Sequence, residues 1–221
     1  MNLAEAYRPK TWAEVAGLAK LKAKVALAKA NGGIGGKAWL ITGPSGTGKT
    51  TSALLLAAEV ADPEFIEELD VGRLTPARLA ELEAATHLYA WGRGGRAFIV
   101  NEIDGLPLSE IRQLLTTLER AGNGGLPKSA LWVFTTSEPL AKFKRRSDKH
   151  AAFASRCVCL STADAPGRAF AGRLWAAAVA EGLPVGTVQD VEALIDECGG
   201  NLRAAFAEVE SGRFAESVVR A

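Results

Sequence analysis

Residues 43–50 combine glycine, lysine and threonine at the spacing of a phosphate-binding loop. The run is Gly43, Pro44, Ser45, Gly46, Thr47, Gly48, Lys49 and Thr50. Its glycines let the backbone curl so that successive N–H groups face phosphate oxygens. Lys49 can reach the terminal phosphates, and the Thr50 hydroxyl can ligate Mg²⁺. We therefore predict that this loop holds a nucleoside triphosphate with magnesium; a glycine-rich turn without a ligand is the alternative.

A second polar group, Asn101 to Asp104, follows an apolar run. In phosphate-loop NTPases an aspartate here holds magnesium through water, and a following glutamate polarises the attacking water. Glu102 stands at the position of that glutamate, whereas Asn101 replaces the aspartate and removes one negative charge. We expect binding to survive this change better than turnover, so that Asn101→Asp would raise turnover. The alternative is a polar strand end without a catalytic role.

Strands and helices that alternate along the chain must position these residues. Apolar runs predict buried parallel strands, and helix formers with glycine or proline at their ends predict helices. We expect Ser109 to cap the helix 109–120, which ends at the glycine-rich segment 121–125. The predicted strands are 38–42, 97–100, 130–134 and 158–160, and the helices between them are 18–30, 49–60, 76–85 and 109–120.

Beyond residue 163 the pattern changes to helices alone, at 167–181, 188–198 and 201–210. The predicted fold is therefore α/β: a parallel sheet flanked by helices and followed by a small helical lid. We expect the first domain to span 1–162 and the second 163–221.

Composition limits the classes of protein that are compatible with the chain. Among its 221 residues no apolar run approaches the roughly 20 that cross a bilayer, so we expect no membrane contact. The start lacks the pattern of a secretory signal, and three cysteines provide no disulfide framework or zinc site, which favours the cytoplasm. The net charge is only +1, and basic residues are clustered in one segment, residues 142–149. That run is expected to be a solvated loop or, alternatively, a contact for DNA phosphates.

The ordered motifs resemble an AAA+ ATPase, and within that superfamily the clamp-loader subunits of the replication factor C and bacterial DNA polymerase III gamma/tau type. The resemblance covers roughly residues 5 to 210. Beyond the phosphate loop and the Asn101–Asp104 segment, the motifs that carry it are the box at Tyr7, Arg8 and Pro9, a strand and turn at 68–75, Thr136 after the third strand, Ser155-Arg156-Cys157, and Gly200-Asn201-Leu202-Arg203. The resemblance does not extend to the collar domain or to the zinc-binding cysteines of bacterial motor subunits, and we expect both to be absent.

The resemblance implies a site for ATP and Mg²⁺, with metal contacts from Thr50 and Asn101. It implies that Tyr7, Arg8 and Pro9 surround the adenine, and that the loop with Thr51 and Arg203 contacts the phosphates. The implied catalytic residues are Glu102 as base, Lys49, Thr136 as the sensor of the γ-phosphate, Arg203 on the lid and Arg156. Arg156 would act in trans as an arginine finger, which implies a homo- or hetero-oligomer.

The implied function is ATP hydrolysis in DNA replication or repair, coupled to loading or remodelling a DNA-bound partner such as a sliding clamp or a helicase. The alternative is an ATP-dependent oligomeric scaffold or switch that hydrolyses slowly and recruits partners to DNA. A small-molecule kinase is a third hypothesis, but it would leave the Ser-Arg-Cys motif and the helical lid without a role.

Overall fold

The computed structural model describes residues 2–120, 126–163 and 167–215, with the backbone alone for Arg120. The predicted helix stop at 121–125 and residues 164–166, next to the predicted domain boundary, lie outside the described residues. Contacts divide the chain into two compact units. One comprises residues 20–43 and 49–162, and the other comprises 1–19, 44–48 and 163–221.

The first unit contains a five-stranded, wholly parallel sheet in the order β2-β3-β4-β1-β5. The strands are β1 Lys37–Thr42, β2 Ile66–Asp70, β3 Arg96–Asn101, β4 Ala130–Thr136 and β5 Cys157–Ser161. Because the strands are parallel, their carboxyl ends share one edge of the sheet, which is where Asn101 and Thr136 lie. The predicted α/β fold with a parallel sheet is confirmed.

Helices lie before, between and after the strands. They are α1 Leu3–Ala6, α2 Ala19–Ala30, α3 Lys49–Ala58, α4 Pro76–Thr86, α5 Leu108–Arg120, α6 Leu140–Arg145, α7 Asp148–Ser155, α8 Arg168–Ala180, α9 Val188–Glu197 and α10 Leu202–Glu210. Local sequence explains several starts: Thr75 caps α4 ahead of Pro76, and Thr187 forms a capping box with Asp190 on α9. None of the helices in the described ranges is both long and apolar enough to span a membrane.

Two local predictions are wrong. Helix α5 begins at Leu108, and the Ser109 hydroxyl donates to Glu110 Oε2 at 2.6 Å, so Ser109 is not its cap. The basic run 142–149 is mostly helical rather than a loop, because residues 142–145 lie on α6 and residues 148–149 on α7. Phe143 of α6 is fully buried. The Ser147 hydroxyl caps α7 by accepting a hydrogen bond from the His150 N–H. Because the Phe143 ring packs into the core, the run has an apolar helical face, which the pattern of charges in the sequence does not reveal.

An aromatic row crosses one face of the sheet and forms much of its core. The ring of Trp132 lies 4.9 Å from that of Phe98 and 5.8 Å from that of Phe134. Its indole N–H donates to Thr86 Oγ1 at 3.1 Å, which satisfies the buried polar atom. Phe134 in turn contacts Phe153 of α7 edge to face. These contacts pack β3 and β4, whose ends carry the polar residues, against each other and against α7.

The second unit has an apolar core of its own, built by α1, α8, α9 and α10. Its largest buried members include Phe170, Leu174, Val191 and Phe206. Helix α1 is held there by buried Leu3, whose backbone N–H donates to Glu210 Oε1 at 3.0 Å. The division into domains 1–162 and 163–221 stays a prediction.

Candidate functional site

The phosphate loop, residues 43–48, connects β1 to α3. Gly46 and Gly48 adopt φ values of +73° and +92°, which residues with a Cβ rarely adopt. Among the described residues, no acceptor receives the backbone N–H groups of Ser45, Gly46 and Gly48. Unpaired backbone donors at the start of a helix are what an anion requires. The loop therefore fits a phosphate group.

Lys49 begins α3 and is buried, with 9% of its surface exposed. Its ammonium donates to the Gly43 carbonyl oxygen at 2.8 Å. An ammonium has three N–H donors, so Lys49 can also donate to a phosphate oxygen beside the loop. Thr50 and Thr51 follow on the first turn, half-buried, and no residue in the described ranges engages their hydroxyls.

Polar side chains at the carboxyl ends of the strands form a directed chain of hydrogen bonds. The Glu102 N–H donates to Thr135 Oγ1 at 3.2 Å, and that hydroxyl donates to Asn101 Oδ1 at 3.0 Å. The Asn101 amide then donates to Glu68 Oε1 at 2.6 Å. Because a carboxylate only accepts, the contact with Glu68 fixes the orientation of the amide. Sequence reasoning missed Glu68 as a member of this site, although it named the segment that contains it.

Glu102 has a left-handed backbone, with φ 58° and ψ 43°. Such a conformation is uncommon outside glycine and costs free energy that its surroundings must offset. The bond from its N–H to Thr135 is one such compensation. Its carboxylate is exposed, and no partner for it occurs among the described residues. A carboxylate held in this way can accept a proton from water, as the predicted base must.

Thr136 is fully buried, and its hydroxyl is engaged within the chain. The hydroxyl donates to Asp104 Oδ1 at 2.7 Å and accepts from the Glu138 N–H at 3.1 Å. Its predicted contact with a γ-phosphate stays a prediction, since it requires the bond to Asp104 to open.

Arg146 closes this network from the start of the turn after α6. Its guanidinium binds both Glu138 oxygens, with Nε at 2.7 Å and Nη2 at 3.0 Å, and also donates to the Asp104 carbonyl oxygen. The Arg146 contact, helped by Lys142, lowers the pKa of Glu138 despite desolvation. Sequence reasoning treated the basic run as one unit and missed this residue. A glutamate at the strand end, eight residues before an arginine, was the available signal.

Arg156 follows α7 and is exposed. It forms an ion pair with Glu119 of α5 and donates to the Ala152 carbonyl oxygen at 2.9 Å. The pair lies within one chain, so the predicted role in trans stays a prediction. Cys157 and Cys159 are thiols whose pKa burial raises, as expected for packed strand residues.

The Tyr7–Pro9 box belongs to the second unit and is attached to α8. Arg173 donates to the Tyr7 carbonyl oxygen at 2.8 Å, and the Tyr7 hydroxyl donates to Glu181 Oε1 at 2.8 Å. That hydrogen bond raises the pKa of Tyr7. Arg8 pairs with Glu5, and Pro9 is half-buried. The box has a fixed backbone; its contact with adenine stays a prediction.

The start of α10 contacts the phosphate loop within the second unit. The Leu202 N–H donates to the Gly46 carbonyl oxygen at 3.1 Å. Asn201, which caps α10 through the Ala204 N–H, lies so close that a Cβ on Gly46 would be 1.8 Å from its Oδ1. Arg203 lies two residues after Asn201, and it is exposed and without a partner in the described ranges. Sequence reasoning predicted Arg203 here but not the contact made by Asn201.

Magnesium would depend on few protein ligands. No group of three or more His, Cys, Asp or Glu side chains in the described ranges could hold a metal ion. Magnesium bound to nucleotides takes one or two protein oxygens and completes its shell with phosphates and water, so this donor set fits. The Thr50 hydroxyl and the Asn101 side chain stay the predicted contacts.

The sheet and the loop together define a parallel α/β fold with a phosphate-binding loop, and a helical region follows it. Solved structures of two single-residue variants of Thermotoga maritima RuvB are similar to this chain, each at 22% identity. One aligns over 97% of this chain and 68% of its own, with a TM-score of 0.74, and the other over 98% and 68%, with a TM-score of 0.73. No family model matches the chain, and the curated proteins contain no match. At this identity the likeness shows the fold alone.

Proposed function

We propose that this protein binds ATP with magnesium at residues 43–50 and hydrolyses it. The observation that carries the proposal is the loop itself, in which unpaired backbone N–H groups precede the buried ammonium of Lys49. Glu102, with its unpartnered carboxylate, would act as the base toward water. Arg203 would contact the phosphates from the lid, which is consistent with the contact between α10 and Gly46.

We further propose that hydrolysis requires an oligomer in which Arg156 of one subunit reaches the ATP of the next. An arginine finger of this kind raises the rate of phosphoryl transfer by ~10³–10⁵. The coupled work would be loading or remodelling a DNA-bound partner, such as a sliding clamp or a helicase. The order of the motifs and the AAA+ fold support this proposal; the clamp-loader subtype rests on the motifs alone.

A second candidate function is a nucleotide-dependent scaffold or switch. The observation in its favour is that both ends of the Asn101 amide are engaged, by Thr135 and Glu68. A side chain used in this way is poorly placed to bind a further water, which would slow turnover without preventing binding.

One experiment separates the two functions. Binding of a fluorescent ATP analogue is measured alongside steady-state hydrolysis, with and without primed DNA, for the wild type and Lys49→Ala. Hydrolysis that DNA stimulates and that Lys49→Ala abolishes supports the motor. Tight binding without stimulated turnover supports the switch. Binding that Lys49→Ala leaves unchanged contradicts both.

A further inference from the structure

The side chain of Glu68 occupies a position that the proposed chemistry leaves without a charge. In the usual arrangement an aspartate at the end of β3, the position of Asn101 here, provides a negative charge toward magnesium. Here the residue is Asn101, and its amide donates to Glu68 Oε1 at 2.6 Å. The missing carboxylate is thus present one hydrogen bond away, on the neighbouring strand.

The register of β2 against β3 places the Glu68 carboxylate on the same face of the sheet as the Asn101 side chain. In the parallel pairing of β2 with β3, Asp70 is opposite Asn101 and Glu68 is opposite Ile99. Residues two apart on a strand face the same side, so Glu68 shares a face with Asn101. Glu67 faces the other side, where Arg78 of α4 forms an ion pair with it.

The same contact explains why residue 101 is an asparagine. Thr135 uses its proton toward Asn101 Oδ1, and Glu68 can only accept, so the atom facing Glu68 must be a donor. An aspartate at 101 would place two carboxylate oxygens in contact, and like charges at that distance repel strongly.

We propose that Glu68 and Asn101 form a compensated pair in which Glu68 supplies the negative charge toward nucleotide-bound magnesium. Asn101 then acts as a positioning residue that orients the Glu68 carboxylate. This inference rests on the proposed binding of ATP with magnesium. It changes the expectation for Asn101→Asp alone, because the second carboxylate would oppose Glu68 rather than restore a missing charge.

The test measures binding rather than turnover. The affinity for a fluorescent ATP analogue is titrated against magnesium in the intact chain, and the magnesium concentration at half-effect is compared among variants. We expect Glu68→Gln to raise that concentration about tenfold, which corresponds to about 1.4 kcal/mol. The double variant Glu68→Gln with Asn101→Asp reverses the pair, because Gln donates and Asp accepts. It should return the half-effect concentration to within about threefold of the wild type.

Glu67→Gln is the matched control, since it removes the adjacent carboxylate from the opposite face of the same strand. It should leave the magnesium dependence unchanged. Circular dichroism checks that each variant is folded. The inference is overturned if Glu68→Gln behaves as the wild type does, if Glu67→Gln has the same effect, or if the double variant is as weak as Glu68→Gln. Should the wild type show no magnesium-dependent binding, the proposed function itself fails, which is a distinguishable result.

Discussion

Arg156 is held by Glu119 of its own chain, through an ion pair at the surface of the sheet-containing unit. The side chains are 36% and 52% exposed, so the pair is easily opened by solvent. Exposed pairs of this kind contribute about 0–1 kcal/mol. A finger that acts on a neighbouring subunit must first leave Glu119, and the cost of leaving is therefore small.

Glu119→Gln should release Arg156 and raise the rate of oligomer-dependent ATP hydrolysis by up to about fivefold, the factor that ~1 kcal/mol allows. Hydrolysis is measured against protein concentration. Glu81→Gln is the control, because it removes another surface carboxylate that pairs with an arginine on a helix. In mixtures, Arg156→Ala and Lys49→Ala subunits should complement each other partially. Normal hydrolysis by Arg156→Ala alone would contradict the role in trans.

Gly46→Ala should weaken binding of ATP. The added Cβ would stand 1.8 Å from Asn201 Oδ1 at a residue with φ +73°, so either the loop or the start of α10 must move. Overpacking of this kind costs about 1–3 kcal/mol, or about five- to 150-fold in affinity.

The control for that substitution is Gly32→Ala. Gly32 also has a positive φ, of +98°, but nothing lies within 4 Å of its Cβ position. Affinities for the fluorescent analogue are compared by titration, and the free energy of unfolding is measured beside them. Equal affinities for both variants would show that the contact between Asn201 and the loop has no effect on the nucleotide.

The parallel sheet could be predicted from the sequence because its strands are apolar runs buried on both faces. Three of these runs are continuously apolar: those that end at Thr42 and Val100 and the one that begins at Ala130. Their prediction as buried parallel strands therefore needed no information about distant residues. The phosphate loop could be predicted for the same reason, since its residues are contiguous and their spacing defines the motif.

The parts that escaped prediction depend on pairings between distant residues. Glu68 and Asn101 are 33 positions apart, and only the register of β2 against β3 brings them together. The basic run was interpreted as a loop because burial of Phe143 is a tertiary effect that charge patterns do not reveal. Local patterns therefore predicted β1, β3, β4, β5 and most of the longer helices, but not α6, α7 or the partners of the polar groups.

His150 should make the stability of the fold depend on pH between about 5.5 and 7.5. Burial lowers its pKa from the usual 6.5, with Arg146 adding to the effect. Below pH 6.5 the unfolded chain binds a proton that the folded chain does not, so stability is present above that pH and falls as pH decreases through it. The fall is at most about 1.4 kcal/mol per pH unit.

The measurement is urea unfolding at pH 7.5 and 5.5. His150→Phe keeps an aromatic ring beside Phe143 but cannot titrate, so its free energy of unfolding should change less between the two pH values. His87→Gln is the control, because His87 is exposed. Glu138, whose pKa is lowered, contributes only near and below its usual value of 4.5, outside this window. An equal pH response in wild type and His150→Phe would refute the assignment.

The basic helix α6 offers the last prediction, which concerns DNA. Lys142 and Arg146 are paired with Glu138, whereas Lys144 and Arg145 are exposed without an ion pair in the described ranges. If this surface contacts DNA phosphates, replacing both with Ala should weaken DNA binding for every sequence alike. The slope of log affinity against log salt should fall by about 2, because each duplex phosphate contact contributes about 0.9. The control replaces Lys20 and Lys22 of α2, which removes the same charge elsewhere; equal losses from both double variants would indicate net charge rather than a DNA contact.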